Sequence, residues 1–118
     1  MIALKNVNHT FDVEVGDVGC TIRKGPKWSE VPIGEPLCLM YCLRPHQGAC
    51  DESCEHRGGG RVVGSWLGKL KDLPSTLLKM EHNRQARNKE VLISMLRAGY
   101  GRISDDDIIT ALVYFRAS

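Results

Sequence analysis

Three groups of side chains in this 118-residue chain have types and spacing suited to chemistry. The first is Thr21, Arg23, Lys24, Lys27 and Trp28. A guanidinium grips a phosphate or carboxylate through paired N–H donors. An indole face stacks a nucleobase, worth about 1–3 kcal/mol per base. The plainer reading packs Trp28 on the core and leaves the lysines solvated. The second group is Cys42, His46, Cys50, Cys54 and His56. Four of these five could complete a tetrahedral structural zinc site, and the metal would offset the entropy of ordering a glycine-rich loop. Cys42 also continues an apolar run and could be a core thiol, as Cys20 and Cys38 are read to be. The third is Glu81 with His82, an acid–base pair if the two meet a substrate and an ordinary solvated helix surface if they do not. Arg57, Gly58–Gly60 and Arg61 could pass close to a phosphate, but they lack the strand–glycine–helix setting of a phosphate loop, so a hinge is the better reading.

The whole chain bounds these readings. Apolar residues make up 42% and charged residues 25%, with a net charge of +2, so a nucleic-acid surface would have to come from local clustering. No apolar stretch approaches the roughly 20 residues of a membrane helix. The amino-terminal residues carry no export-signal pattern, which leads to the expectation of a cytoplasmic protein. The five cysteines are then expected to be reduced, with no disulfide framework. The length suits one domain over residues 1–118.

Strands are expected at Met1–Val7, at Phe11–Val18 from the alternation of Phe11, Val13 and Val15, at Cys20–Arg23, and at Leu37–Leu43, whose nearly unbroken apolar run suggests burial on both faces. Residues 44–60 read as a long irregular insertion, with a strand returning at Arg61–Gly68. A helix start is expected near Pro74 and Ser75. A second helix is expected over Ala86–Ala98, with Val91, Leu92, Met95 and Leu96 in one stripe and Gly99 as its terminator. Ser104 to Asp107 reads as a short acidic turn and Ile109–Phe115 as the closing strand. Strands, then helices, then a returning strand give an α+β domain with a mixed sheet or small barrel.

Three pieces carry a family resemblance: Val13 to Arg23 with Gly16 and Thr21-Ile22-Arg23 in register, Ile33-Gly34-Glu35-Pro36-Leu37-Cys38-Leu39 entering a core strand, and the closing helix, acidic turn and strand. Together they resemble an ASCH domain, over almost the whole chain apart from the 44–60 insertion. That resemblance implies a PUA-like β-barrel with two or three helices on one side, and a role with RNA or a modified nucleotide. One branch of small ASCH proteins hydrolyses acetylcytidine with a Lys, a Thr and a Glu. The Lys position falls on Val18, the Thr that usually follows it on Gly19, the motif Thr on Thr21 and the Glu on Glu81. Valine cannot orient or activate a nucleophile, so binding is expected rather than turnover.

The sequence therefore leads to an RNA- or nucleotide-binding domain whose ligand lies near Thr21, Arg23 and Glu81, with Lys24, Lys27 and Trp28 contributing. No cofactor is required, and a structural zinc is a candidate. An acetylated-nucleoside amidohydrolase using Thr21 and Glu81 is one alternative. A protein-interaction module, such as a phage or mobile-element protein using the cysteine-rich loop, is the other.

Overall fold

The computed structural model describes residues 5–8, 12–42 and 54–118. Its frame is a five-stranded sheet: β1 (Lys5–Asn8), β2 (Val18–Lys24), β3 (Pro36–Cys42), β4 (Cys54–Lys69) and β5 (Ile108–Arg116), in the spatial order β1-β3-β4-β5-β2. β1 pairs parallel with β3, and every other neighbour pair is antiparallel. The four antiparallel strands curl into a half-barrel. The expected α+β class and small barrel-like sheet are therefore present, with β1 and β2 at opposite edges.

Strand alternation gives the sheet two apolar faces. On one, Cys20, Ile22, Ile109 and Ala111 pack with Leu70, Ala86, Leu92, Leu96 and Ile103. On the other, Leu37, Leu39, Val62, Leu112 and Tyr114 pack with Trp28 and Val31. Burying a side chain of this size is worth about 1.5–3 kcal/mol. Helix α2 (Lys89–Tyr100) covers the first face through Leu92 and Leu96, one turn apart. The Asn88 side chain caps it by accepting from the Glu90 and Val91 amides, a device worth about 1 kcal/mol.

Several expectations need correction. Residues 12–17 are not a strand. Gly16 takes φ 94° in a turn closed by the Asp17 amide donating to the Glu14 carbonyl, so the chain reverses there. β3 is buried on one face only: Leu37 and Leu39 are buried, while Cys38 and Met40 are half-exposed. Cys54–Gly60 is strand rather than irregular loop and belongs to the 16-residue β4. Gly60 lies so close to β5 that a Cβ would come within 2.6 Å of the Phe115 carbonyl oxygen, so the glycine serves strand packing. The helix starting at Pro74 is one turn, α1 (Ser75–Leu78). A 3-10 turn at Arg84–Arg87 precedes α2 in place of the continuous helix expected. Val91 and Met95 are exposed, and Gly101 at φ 80°, not Gly99, ends α2. The Met1–Leu4 part of the first expected strand, Phe11, and residues 43–53 lie outside the described residues.

Candidate functional site

β2 is where the sequence reading placed the chemistry, and its alternation divides the candidates. Thr21 lies opposite Leu112, and Arg23 opposite Thr110, on the face of the second core. Thr21 is 1% exposed. Its Oγ1 accepts a 3.1 Å hydrogen bond from Arg23 Nε. The Arg23 guanidinium carbon stands 5.4 Å from the Trp28 ring centroid, within cation–π range. Trp28 belongs to a 3-10 turn over Lys27–Glu30 and is half-buried against the core. Thr21, Arg23 and Trp28 thus form one stack, with Lys27 exposed beside it. Lys24 is one residue out of phase and takes other partners. It donates to the Arg102 carbonyl at 2.8 Å and lies 3.9 Å from Asp107. The structure does not bring Lys24 onto the Arg23 face.

Glu81 reaches β2 from about sixty residues away in sequence, on an extended strap rather than a helix. The Cys20 amide donates to the Met80 carbonyl and the His82 amide to the Cys20 carbonyl, both at 2.8 Å, so Glu81 pairs with Cys20 across a parallel bridge. Arg87 fixes the strap from the far side, its Nε donating to the Glu81 carbonyl at 2.8 Å and one terminal nitrogen to the Asp12 carbonyl. The Glu81 side chain is buried at 4% exposure. Oε1 accepts from the Asn83 amide at 3.4 Å and lies 3.1 Å from His82 Nε2. Oε2 is buried with no hydrogen-bond partner among the described residues.

That environment raises the Glu81 carboxyl pKa from 4.5 to about 7. Burial disfavours the charged form and is the main cause. The Asn83 and Ile22 amides and the Arg23 and Arg87 charges oppose it. Cys20 in the first core and Tyr114 in the second are both pushed well above their ordinary range, by burial first and then by the Glu81 charge. Cys20 is consequently an inert buried thiol, as expected for a core cysteine.

The register adds residues that the sequence reading missed. Ser65 on β4 faces Leu112, which in turn faces Thr21. Leu67 faces Thr110, which faces Arg23. Both are exposed, Leu67 at 50%, and they lie on the same sheet face two strands from Thr21 and Arg23, with β5 between. Only pairing could reveal them, since nothing in Ser65-Trp66-Leu67 marks a site. Val18, where the ASCH resemblance would put a Lys, is exposed opposite Phe115.

The cysteine-rich group is arranged differently from its sequence expectation. Cys42 and Cys54 face each other at the end of the β3–β4 ladder and are joined by a disulfide. This corrects the expectation that no disulfide forms: the antiparallel register puts the two sulfurs together. While joined, neither can serve as a thiolate zinc ligand. His56 is exposed on β4, and His46 and Cys50 lie outside the described residues. Among the described residues no helix is long and apolar enough to cross a membrane. No family model, curated protein or solved structure matches the chain.

Proposed function

We propose that the protein binds RNA or a modified nucleotide, in the manner of an ASCH domain with a PUA-like barrel, against Thr21, Arg23, Trp28 and Glu81. One observation carries the reading: the buried Glu81 Oε2 has no hydrogen-bond partner among the described residues and belongs to a carboxyl that feels the Arg23 charge. An acceptor left unsatisfied in a buried place costs about 1–3 kcal/mol. The N–H groups on a nucleobase edge are the donors that would relieve it. Arg23 is suited to a phosphate or a stacked base, with its Nε held by Thr21 and its plane near Trp28. Lys27 adds an exposed positive charge beside them.

The test is a titration with short single-stranded RNA, duplex RNA and free cytidine derivatives at two salt concentrations. Arg23→Ala is expected to weaken binding and to reduce the salt slope by about one. Absence of binding to all three ligands at low salt sinks the proposal.

Hydrolysis of an acetylated nucleoside is the second reading, favoured by one observation: a carboxyl whose pKa is about 7 is matched to general acid–base work near neutral pH. It requires acetate release that Glu81→Gln abolishes. Against it, Val18 offers no amine, and Lys24 is engaged by Asp107 and the Arg102 carbonyl.

A further inference from the structure

We infer that the layer formed by residues 75–102 is a phosphate-backbone surface, crossed by an RNA strand that has one of its bases at Glu81. The inference rests on the nucleotide reading for the class of partner and extends it from a single nucleotide to a polymer. Charge is divided unevenly along the chain. Residues 75–102 hold six Lys and Arg against two Asp and Glu, a net +4, so the rest of the chain carries −2 of the overall +2. Of the two acids, Glu81 is buried and only Glu90 is exposed. Of the six cations, Lys79, Arg84, Lys89, Arg97 and Arg102 are exposed, and among the described residues none of these five is in an ion pair. The Asp12 carboxylate reaches the layer but accepts from the Arg84 backbone amide, at 2.9 Å. Elsewhere the pattern is different: Lys24, Arg57, Lys69 and Lys71 each have a carboxylate partner.

The fold gathers these charges into one layer. Lys79 and Arg84 flank Glu81 on the strap that pairs with Cys20 of β2. The 3-10 turn begun by Arg84 packs against α2, which carries Lys89 and Arg97 and itself contacts β2. At the far end the chain returns to β2, where the Arg102 carbonyl accepts from Lys24 Nζ. The cations thus run from the strap beside Glu81, over α2, and back to the strand that holds Thr21 and Arg23. Surface charges of one sign without interspersed opposites raise the local potential and draw a polyanion. Exposed cations without carboxylate partners have no ion pair to break when a phosphate arrives, and each phosphate they neutralise releases counterions. An RNA strand with a base at Glu81 has its neighbouring phosphates within reach of Lys79 and Arg84, two residues before and three after it, and the α2 cations extend that track.

The test titrates the full chain with a single-stranded 12-nucleotide RNA and with cytidine monophosphate over a series of salt concentrations. The 12-mer is expected to bind at least tenfold more tightly than the mononucleotide. Two paired variants, Lys79→Gln with Arg84→Gln and Lys89→Gln with Arg97→Gln, should each lower the slope of log affinity against log salt for the 12-mer by about 1.4, and leave mononucleotide binding unchanged. Lys69→Gln with Lys71→Gln removes the same charge beside Asp106, away from the layer, and should leave the slope as it is. All six positions are exposed, and circular dichroism checks that the variants fold. The inference is overturned if the 12-mer binds no tighter than the mononucleotide, if the three paired variants share one slope, or if vesicles of anionic phospholipid displace the 12-mer at equal phosphate concentration. Failure of the Glu81–Arg23 site reads differently: Arg23→Ala would then leave mononucleotide binding untouched, while the layer variants would still lower the 12-mer slope.

Discussion

Glu81→Gln should flatten the pH dependence of stability. A carboxyl whose pKa rises from 4.5 unfolded to about 7 folded binds its proton more tightly in the native state. Between those two values the folded protein holds more protons than the unfolded chain, so stability falls as pH rises. The contribution is fully present below about pH 4.5 and gone above about pH 7. At about 1.4 kcal/mol per pH unit the total is roughly 3 kcal/mol, a large share of the 5–15 kcal/mol that typically holds a domain folded. In urea, with a slope of about 2 kcal/mol per molar, the midpoint should drop by about 1.5 M across that window. The neighbours that could modulate the drop are His82, Arg23, Arg87, Cys20 and Tyr114. Glutamine cannot ionise, so the variant should lose this component of the slope. Its absolute stability is less informative, because the amide brings N–H donors to the position where Oε2 has no partner among the described residues. The assay is urea denaturation at pH 5, 6, 7 and 8 without ligand. If the parent and Glu81→Gln midpoints run parallel across that range, the reasoning about the buried carboxyl is refuted.

Two further predictions concern the frame. Reducing the Cys42–Cys54 disulfide, which closes a loop of sequence separation 12, should lower stability by about 3 kcal/mol on the chain-entropy account; urea midpoints with and without a dithiol reductant check this, and no shift would show that the link does not restrain the unfolded chain. Gly60→Ala should destabilise by about 1–3 kcal/mol, because its Cβ would come within 2.6 Å of the Phe115 carbonyl oxygen, whereas Gly64→Ala meets nothing within 4 Å; equal urea midpoints for the two variants would contradict the close approach.

The parts of the fold legible in the sequence were those whose signal is local. The apolar run from Leu37 and the segment Ile109–Phe115 are strands, and the turn before Pro36 is marked by Gly34 at φ 90°. What failed depended on partners. Gly58–Gly60 reads as a hinge in one dimension, but in the sheet the absent side chain at Gly60 admits the β5 backbone. The alternation of Val13 and Val15 reads as a strand, but the Gly16 turn and the Gly16 amide's bond to the Arg116 carbonyl override it. The site divides the same way. Thr21 and Arg23 share a face by a rule visible in the sequence, and that rule also separates Lys24 from them. Ser65 and Leu67 could not be found without the β4–β5 register. Glu81 reads in the sequence as a residue on a helix, beside His82, yet its burial comes from a strap paired to Cys20.

That strap bears on how the proposed site would choose a ligand. Glu81 is held at both flanks, by Cys20 through the bridge and by Arg87 through the Glu81 carbonyl, so its backbone stays fixed against β2. Near pH 7 its two protonation states are close in free energy, and whatever binds at Oε2 decides between them. A ligand offering an N–H stabilises the carboxylate and binds with loss of the Glu81 proton. One offering only an acceptor stabilises the acid and binds with proton uptake. Arg23 biases the choice, since its charge favours the ionised form, and so does any positive charge on the ligand. A phosphate held at Arg23 would neutralise that influence and push the carboxyl back toward its protonated state. Within the proposed function, phosphate recognition at Arg23 and base recognition at Glu81 are therefore coupled through one proton, and measuring proton release on binding at two pH values near 7 reads that coupling directly.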